Sequence, residues 1–207
     1  DTTRLRADAA PQFRAITQEA ESAGAVVTSS GGVRSLSEGA NGSRSATSMH
    51  YAGLAFDLSI NTGFFNPQTD PFVIQRNRNG NNPWWVVWAR AANGQNMTID
   101  ALKWAGPWDN GSVSTETVQG SFINFTDLCR THGFHPIGPR SGFKRDSNKL
   151  YLSSEWWHFQ ANDRLIPELS QFGIELLRVD EYTEAHIRSQ NEHVWSNRQA
   201  IYRKNWF

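Results

Sequence analysis

The residues of this chain best suited to chemistry lie in two short segments about a hundred positions apart. The first segment holds His50 and Asp57, and the second holds Glu155 and His158. Two imidazoles and one carboxylate supply the three protein ligands of a catalytic zinc, with an open position for water and a second carboxylate to take the water's proton. A closed structural zinc site would need a fourth ligand, usually cysteine, and the chain has a single cysteine.

The first segment is a weak signal by itself. The small residues Ala52 and Gly53 allow a tight turn that brings His50 back beside Asp57 on a following strand. Asp57 would point away from the face that carries Phe56. An ionised carboxylate among apolar neighbours needs a partner, which either a metal or an arginine would supply. The pair is therefore consistent with a metal site or with a structural hydrogen bond.

The second segment requires a break in regular strand geometry. Glu155 and His158 are three residues apart, and side chains at that spacing cannot share a face of a regular strand. We therefore expect a turn or bulge near Trp156 that re-aims one of them. In the alternative interpretation, Trp156 and Trp157 are core aromatics and the two polar residues only mark a strand end.

A third element is an arginine in the glycine-rich segment 31–35. The guanidinium of Arg34 is suited to hold a substrate carboxylate or a carbonyl oxygen that becomes an oxyanion. Spacing alone favours the other interpretation, in which Arg34 is a surface residue.

Length and composition indicate one domain, or one domain with an elaborated loop, among 207 residues. The 20 basic and 20 acidic residues cancel, and no basic tract stands out. The charge pattern therefore gives no indication of a nucleic-acid partner. The chain has no apolar run of about 18 residues, so no membrane span is predicted.

Periodicity and turn residues predict the secondary structure along the chain. Helices are predicted at residues 9–23, 83–92, 122–132, 165–177 and 183–206, and strands at residues 25–28, 54–60, 134–137 and 151–160. Residues 61–120 are rich in turn signals and are interpreted as a long insertion. Its tryptophan clusters are expected to form a satellite core or to stack on sugar rings.

Together these segments resemble a family of zinc peptidases. The family includes D-alanyl-D-alanine carboxypeptidases, VanX dipeptidases, VanY carboxypeptidases and several phage L-alanyl-D-glutamate endolysins. Its signature, Ser-x-His-x-x-Gly-x-Ala-x-Asp, is matched at every specified position by Ser48, His50, Gly53, Ala55 and Asp57.

The later part of the chain carries the second half of the resemblance. The segment from Glu155 to His158 resembles the VanX and VanY form of the family's Glu-x-x-His element. The segment 31–35 is similar to the family's upstream Ser-Gly-Tyr-Arg-Ser stretch. The resemblance covers about residues 9–62 and 120–160.

The resemblance implies an α+β fold in which a small antiparallel sheet is flanked by helices, as in the hedgehog signalling domain. Residues 1–180 would form the zinc peptidase domain, with the insertion at about 61–120. Residues 181–207 would form a polar, helical extension that has no counterpart in the family.

The resemblance also implies roles for individual residues. One catalytic zinc would be held by His50, Asp57 and His158. Glu155 would act as the general base, and Arg34 would anchor the substrate and its oxyanion.

Ser48 and Trp157 complete the substrate contacts that the resemblance implies. The substrate would be a peptidoglycan stem peptide or another D-Ala-terminated peptide, in the bacterial cell envelope, in the periplasm or outside the cell. The expected reaction is of the D-Ala-D-Ala carboxypeptidase or dipeptidase type. The alternatives are an endolysin-like L-Ala-D-Glu endopeptidase of phage origin and a non-catalytic, hedgehog-like zinc-binding module.

Overall fold

The computed structural model describes residues 3–35, 48–77 and 84–161. The helices predicted at residues 165–177 and 183–206, and the extension 181–207, lie outside the described residues.

The described chain contains both helices and strands, and its sheets are antiparallel, as an α+β fold requires. The elements in chain order are α1 (Ala10–Ser22), β1 (Ala55–Asp57), β2 (Phe72–Arg76), β3 (Trp85–Ala105), β4 (Ser112–Asn124), α2 (Phe125–Thr131), β5 (His135–Pro136) and β6 (His158–Gln160). A single turn of 3₁₀ helix at Tyr151–Ser153 precedes β6.

The strands form two three-stranded antiparallel sheets. The small sheet has the order β1-β6-β5, and the large sheet has the order β2-β3-β4. The large sheet comes mostly from residues 61–120, the segment interpreted as an insertion, and the resemblance implies only a small sheet.

Both described helices begin and end where their sequences predict a boundary or close to it. α1 buries Ile16 and Ala20 on one face, and Gly24 follows it with a φ of 78° that suits glycine. α2 starts at Phe125 because residues 122–124 still pair in β4. The side chain of Asn124 caps α2 by accepting a hydrogen bond from the third helical residue.

The helix predicted at residues 83–92 is wrong, because this segment begins β3. Alternate residues from Trp85 to Ala91 are buried and the residues between them are half-buried, which is the period of a strand. The intervening residues include Val86 and Trp88, so both faces are partly apolar. This second apolar row hides the alternation in the sequence.

The predicted strands are shorter in the structure than in the sequence analysis. The strand predicted at residues 25–28 is reduced to a single bridge between Ala25 and Ala91. The strands predicted at residues 54–60, 134–137 and 151–160 contract to β1, β5 and β6.

An aromatic core joins the two sheets. The fully buried ring of Phe64 has its centroid 6.0 to 6.3 Å from the ring centroids of Trp85, Trp104, Phe143 and Tyr151. Both of these tryptophans therefore belong to the main core. Among the described tryptophans, only Trp88 packs against a separate small cluster of the kind predicted for a satellite core. Among the described residues, no helix is long and apolar enough to cross a membrane.

Candidate metal centre

His50, Asp57 and His158 converge in the folded chain. One ligand atom from each lies within 4.8 Å of the other two. Nε2 of His50 is 3.2 Å from Oδ2 of Asp57, and Nδ1 of His158 is 2.9 Å from Oδ1 of the same carboxylate. The two imidazole nitrogens are 3.2 Å apart. These three side chains can therefore hold a metal ion.

Strand register places two of the three ligands side by side. Asp57 and His158 are directly paired residues of β1 and β6. Directly opposed residues in an antiparallel pair have Cβ atoms about 4.5–5.5 Å apart. The pairing that aligns the two strands therefore also aligns the carboxylate with the imidazole.

A tight turn delivers the third ligand, as the sequence predicts. The N–H of Gly53 donates to the carbonyl of His50 at 3.1 Å, and the N–H of Leu54 donates to the carbonyl of Met49 at 3.0 Å. Gly53 has a φ of 66°, and a Cβ at this position would lie 2.8 Å from the backbone nitrogen of Arg6. Glycine is therefore required where the chain turns from His50 into β1.

Hydrogen bonds on the far side of each ring fix which nitrogen faces the cluster. Nδ1 of His50 lies 2.6 Å from the carbonyl of Gly32, and Nε2 of His158 lies 3.2 Å from Oε1 of Gln160. Since each acceptor takes an N–H, loss of the other ring proton would leave a lone pair that points at the cluster. Both imidazoles are thus oriented as ligands.

The glycine-rich segment supplies one of these acceptors by pairing along the free edge of β1. Asp57 donates its N–H to the carbonyl of Gly31 at 3.0 Å and accepts from the N–H of Ser30 at 2.8 Å. This pairing positions the carbonyl of Gly32 beside His50. A Cβ on Gly32 would collide with the backbone carbonyl of Arg4, so this position also requires glycine.

Asp57 and His158 each stabilise the charged form of the other. Burial alone would raise the pKa of Asp57, but hydrogen bonds from His158 and His50 hold it below its ordinary value. Burial alone would lower the pKa of His158, but the hydrogen bond and charge of Asp57 raise it. Asp57 is therefore a carboxylate at neutral pH, which is its metal-binding form.

Glu155 lies in the turn that precedes β6, outside the strand itself. The N–H of His158 donates to the carbonyl of Glu155 at 3.1 Å, and Glu155 has a φ of 56°, which is rare for a residue other than glycine. The predicted break in strand geometry is thereby confirmed. Burial raises the pKa of the Glu155 carboxyl, and the charges of His158 and Arg140 oppose that rise.

Arg140 is the residue of this site that the sequence analysis missed. Its Nε lies 2.6 Å from Oε1 of Glu155. In the sequence it is one of several cationic residues in a turn-rich loop, and no spacing links it to the two motif segments. Only the tertiary fold brings it to the site.

The remaining predicted residues line the same cleft, which has a volume of about 320 Å³. Arg34 lies near the Oγ of Ser48, with its Nη1 at 3.4 Å, and its guanidinium sits 5.6 Å from the ring centroid of Tyr51. Trp157 is only 5% exposed and packs against the ring of Tyr151 at 5.6 Å. Trp157 therefore contributes mainly to the core and only an edge to the cleft.

No family model, no curated protein and no solved structure matches this chain. The chemistry of the cleft therefore has to follow from its own residues. Those residues are a cluster of metal-binding type, a buried carboxylate beside it, and two arginines, Arg34 and Arg140.

Proposed function

We propose that the protein is a zinc metallopeptidase that hydrolyses bacterial peptidoglycan stem peptides, in a reaction of the D-Ala-D-Ala carboxypeptidase or dipeptidase type. The observation that carries the proposal is the metal-binding cluster with a second buried carboxylate, Glu155, in the same cleft. Three ligands and a separate base are the components of a hydrolytic zinc site.

The cluster fits zinc in both chemistry and size. Two imidazole nitrogens and one carboxylate form a common set of catalytic zinc ligands. The two imidazole nitrogens are 3.2 Å apart, which is close to the edge of about 3.3 Å expected for a tetrahedron with bonds of about 2.0–2.1 Å. Each of these nitrogens also lies within 3.2 Å of a carboxylate oxygen of Asp57, Oδ1 for His158 and Oδ2 for His50. The hydrogen bonds from His50 to Gly32 and from His158 to Gln160 provide the outer support that such ligands require.

A zinc ion bound here would supply Lewis acidity, which polarises a carbonyl and acidifies a water molecule. Glu155 would take the proton from the attacking water and return it to the leaving amine. Arg34 would donate hydrogen bonds to the substrate and to the oxygen that gains charge. The buried position of Glu155 shields that proton transfer from bulk water.

We propose that the chain also has the fold of the zinc peptidases that it resembles. Helix α1 packs on the small sheet through Phe13 and Phe56, whose ring centroids are 4.7 Å apart. Helix α2 packs on it through Phe125 and Phe159, at 5.5 Å. A small antiparallel sheet flanked by helices is the arrangement that the resemblance implies.

Two related functions differ from this proposal in ways that an experiment can separate. An endopeptidase would cut between L-Ala and D-Glu of the same stem peptide. A non-catalytic zinc-binding module would cut nothing, and it would have no use for Glu155 and Arg34 in the cleft.

The test is incubation of the zinc-loaded protein with purified muropeptides and with a stem pentapeptide, followed by mass spectrometry of the products. We expect release of D-Ala or D-Ala-D-Ala. Glu155→Gln should slow the release by about 100-fold or more because the base is lost, while zinc still binds. The matched control is Glu21→Gln, which changes an exposed glutamate on α1 and should leave the rate unchanged.

Three results would count against the proposal. Cleavage between L-Ala and D-Glu would support the endopeptidase. The absence of any product from zinc-loaded protein would overturn the enzymatic proposal. Full activity of Glu155→Gln would remove Glu155 from the mechanism.

A further inference from the structure

Arg140 reaches from the buried carboxylate into the cleft. Its Nε is 2.6 Å from Glu155, whose side chain is only 10% exposed, yet the side chain of Arg140 itself is 43% exposed. Arg140 lines the same cleft as the metal cluster. Arg140 therefore contacts the base and also exposes part of its side chain at the cleft.

The backbone around Arg140 holds that position. Its N–H donates to the carbonyl of Ser153 at 2.8 Å, and its carbonyl accepts from the N–H of Phe143 at 3.1 Å. Phe143 is buried in the aromatic core, 5.4 Å from the ring of Trp85. The loop is thus anchored on both sides of Arg140, and the guanidinium is preorganised before any ligand binds.

The charges in the cleft favour an anionic ligand. The guanidinium groups of Arg34 and Arg140 balance the carboxylates of Asp57 and Glu155. A divalent cation at the cluster would then leave the cleft with an excess of two positive charges. A site with that excess attracts a peptide that carries carboxylates over a neutral one.

On the basis of the proposed function, we propose that Arg140 binds a carboxylate of the substrate and selects acidic peptides. A guanidinium presents five N–H donors in one plane, so it can contact Glu155 and a second carboxylate together. Arg34 lies beside Ser48, and the proposed function assigns it to the scissile carbonyl. The two arginines therefore recognise different groups of one peptide.

The carboxylate that Arg140 binds is either the C-terminus of the peptide or an acidic side chain. Three probes separate these sources: the stem pentapeptide L-Ala-D-Glu-L-Lys-D-Ala-D-Ala, its C-terminal amide, and the analogue in which the free carboxylate of D-Glu is converted to an amide. For the zinc-loaded protein, steady-state kinetics give kcat and KM for each peptide that is cleaved, and calorimetry gives a Kd for each peptide that is not. The amide that binds more weakly identifies the carboxylate.

We expect the wild-type protein to prefer the parent pentapeptide over one of the two amides by about 10- to 100-fold, as for a charge-assisted hydrogen bond. Arg140→Gln should bring the two peptides close to equal affinity. Arg140→Lys keeps the charge without the planar fork, and should retain part of the preference. Arg145→Gln removes an exposed arginine from the same loop and should retain all of it.

The preference between peptides is the decisive quantity, because loss of Arg140 also disturbs Glu155 and slows turnover of all three peptides alike. An unchanged preference in Arg140→Gln, or no preference in the wild-type protein, would overturn the proposal for Arg140. If the wild-type protein shows the preference in calorimetry but cleaves no peptide, the proposed function fails while the role of Arg140 stands. If the wild-type protein cleaves the peptides without any preference, the role of Arg140 fails while the proposed function stands.

Discussion

The small sheet and the large sheet differ greatly in the length of their strands. β1 and β6 have three residues each and β5 has two, whereas β3 has 21 and β4 has 13. The metal cluster nevertheless lies on the small sheet and on the turn that leads into it. The larger structure is therefore not the one that carries the candidate chemistry.

The difference shows how short strands can hold a site. Strands of this length have few backbone hydrogen bonds and need packing for stability. Phe56 and Phe159 stack at 5.4 Å across the small sheet, and Trp156 lies 6.3 Å from Phe72 of the large sheet. The large sheet thus stabilises the site through the core, while the short strands and their turns orient its side chains. Substitutions should separate these two contributions.

The largest effect is expected from loss of a ligand. A four-ligand structural zinc site is worth about 10–16 kcal/mol, or roughly 2.5–4 kcal/mol for each ligand. His158→Ala should therefore weaken zinc binding by roughly 60- to 700-fold. Competition calorimetry with a chelator of known affinity measures the change.

The matched control for this ligand is His135→Ala, which removes an imidazole from β5 of the same sheet. We expect its zinc affinity to match the wild type, because His135 pairs with Gln160 through the backbone and is not in the cluster. Equal losses of zinc affinity in His158→Ala and His135→Ala would mean that the cluster does not bind the metal.

An intermediate effect is expected from truncation in the core of the large sheet. Ile74 is fully buried in β2, so Ile74→Ala should lower the free energy of unfolding by about 3 kcal/mol. Urea denaturation measures this, with Val26→Ala as the control at a position that is 66% exposed. The zinc affinity of the folded Ile74→Ala protein should stay unchanged. A loss of zinc affinity as large as that expected for His158→Ala would show that the large sheet also sets the ligand geometry.

The smallest effect is expected from the outer support of a ligand. Gln160→Ala removes the acceptor for Nε2 of His158 and should lower zinc affinity by about 10- to 100-fold. Gln119→Ala changes an exposed glutamine on β4 and serves as the control. If both variants bind zinc like the wild type, the orientation of His158 is fixed by strand pairing alone.

The sequence was most informative where residue type limits chemistry. The two motif segments stood out because imidazoles and carboxylates bind metals, and the resemblance assigned His50, Asp57 and His158 as the ligands. The turn at Glu155 followed from its spacing to His158. The strand at residues 85–91 was misjudged because its two faces are both partly apolar.

Arg140 shows where residue type and spacing stop being informative. It shares its loop with Lys144 and Arg145, and nothing in local sequence separates the three cations. The hydrogen bond from Arg140 to Ser153 selects it, and that bond depends on how the whole chain folds.

The pairing of Asp57 with His158 has a consequence for how the protein acquires its site. The two residues are 101 positions apart, so the chain must close a loop of that length before the ligands meet. Closing such a loop costs about 4 kcal/mol of chain entropy. That loop contains the entire large sheet, and an ion bound at its base would act as a cross-link comparable to a disulfide. Metal removal would therefore destabilise the core that this loop encloses as well as empty the cluster.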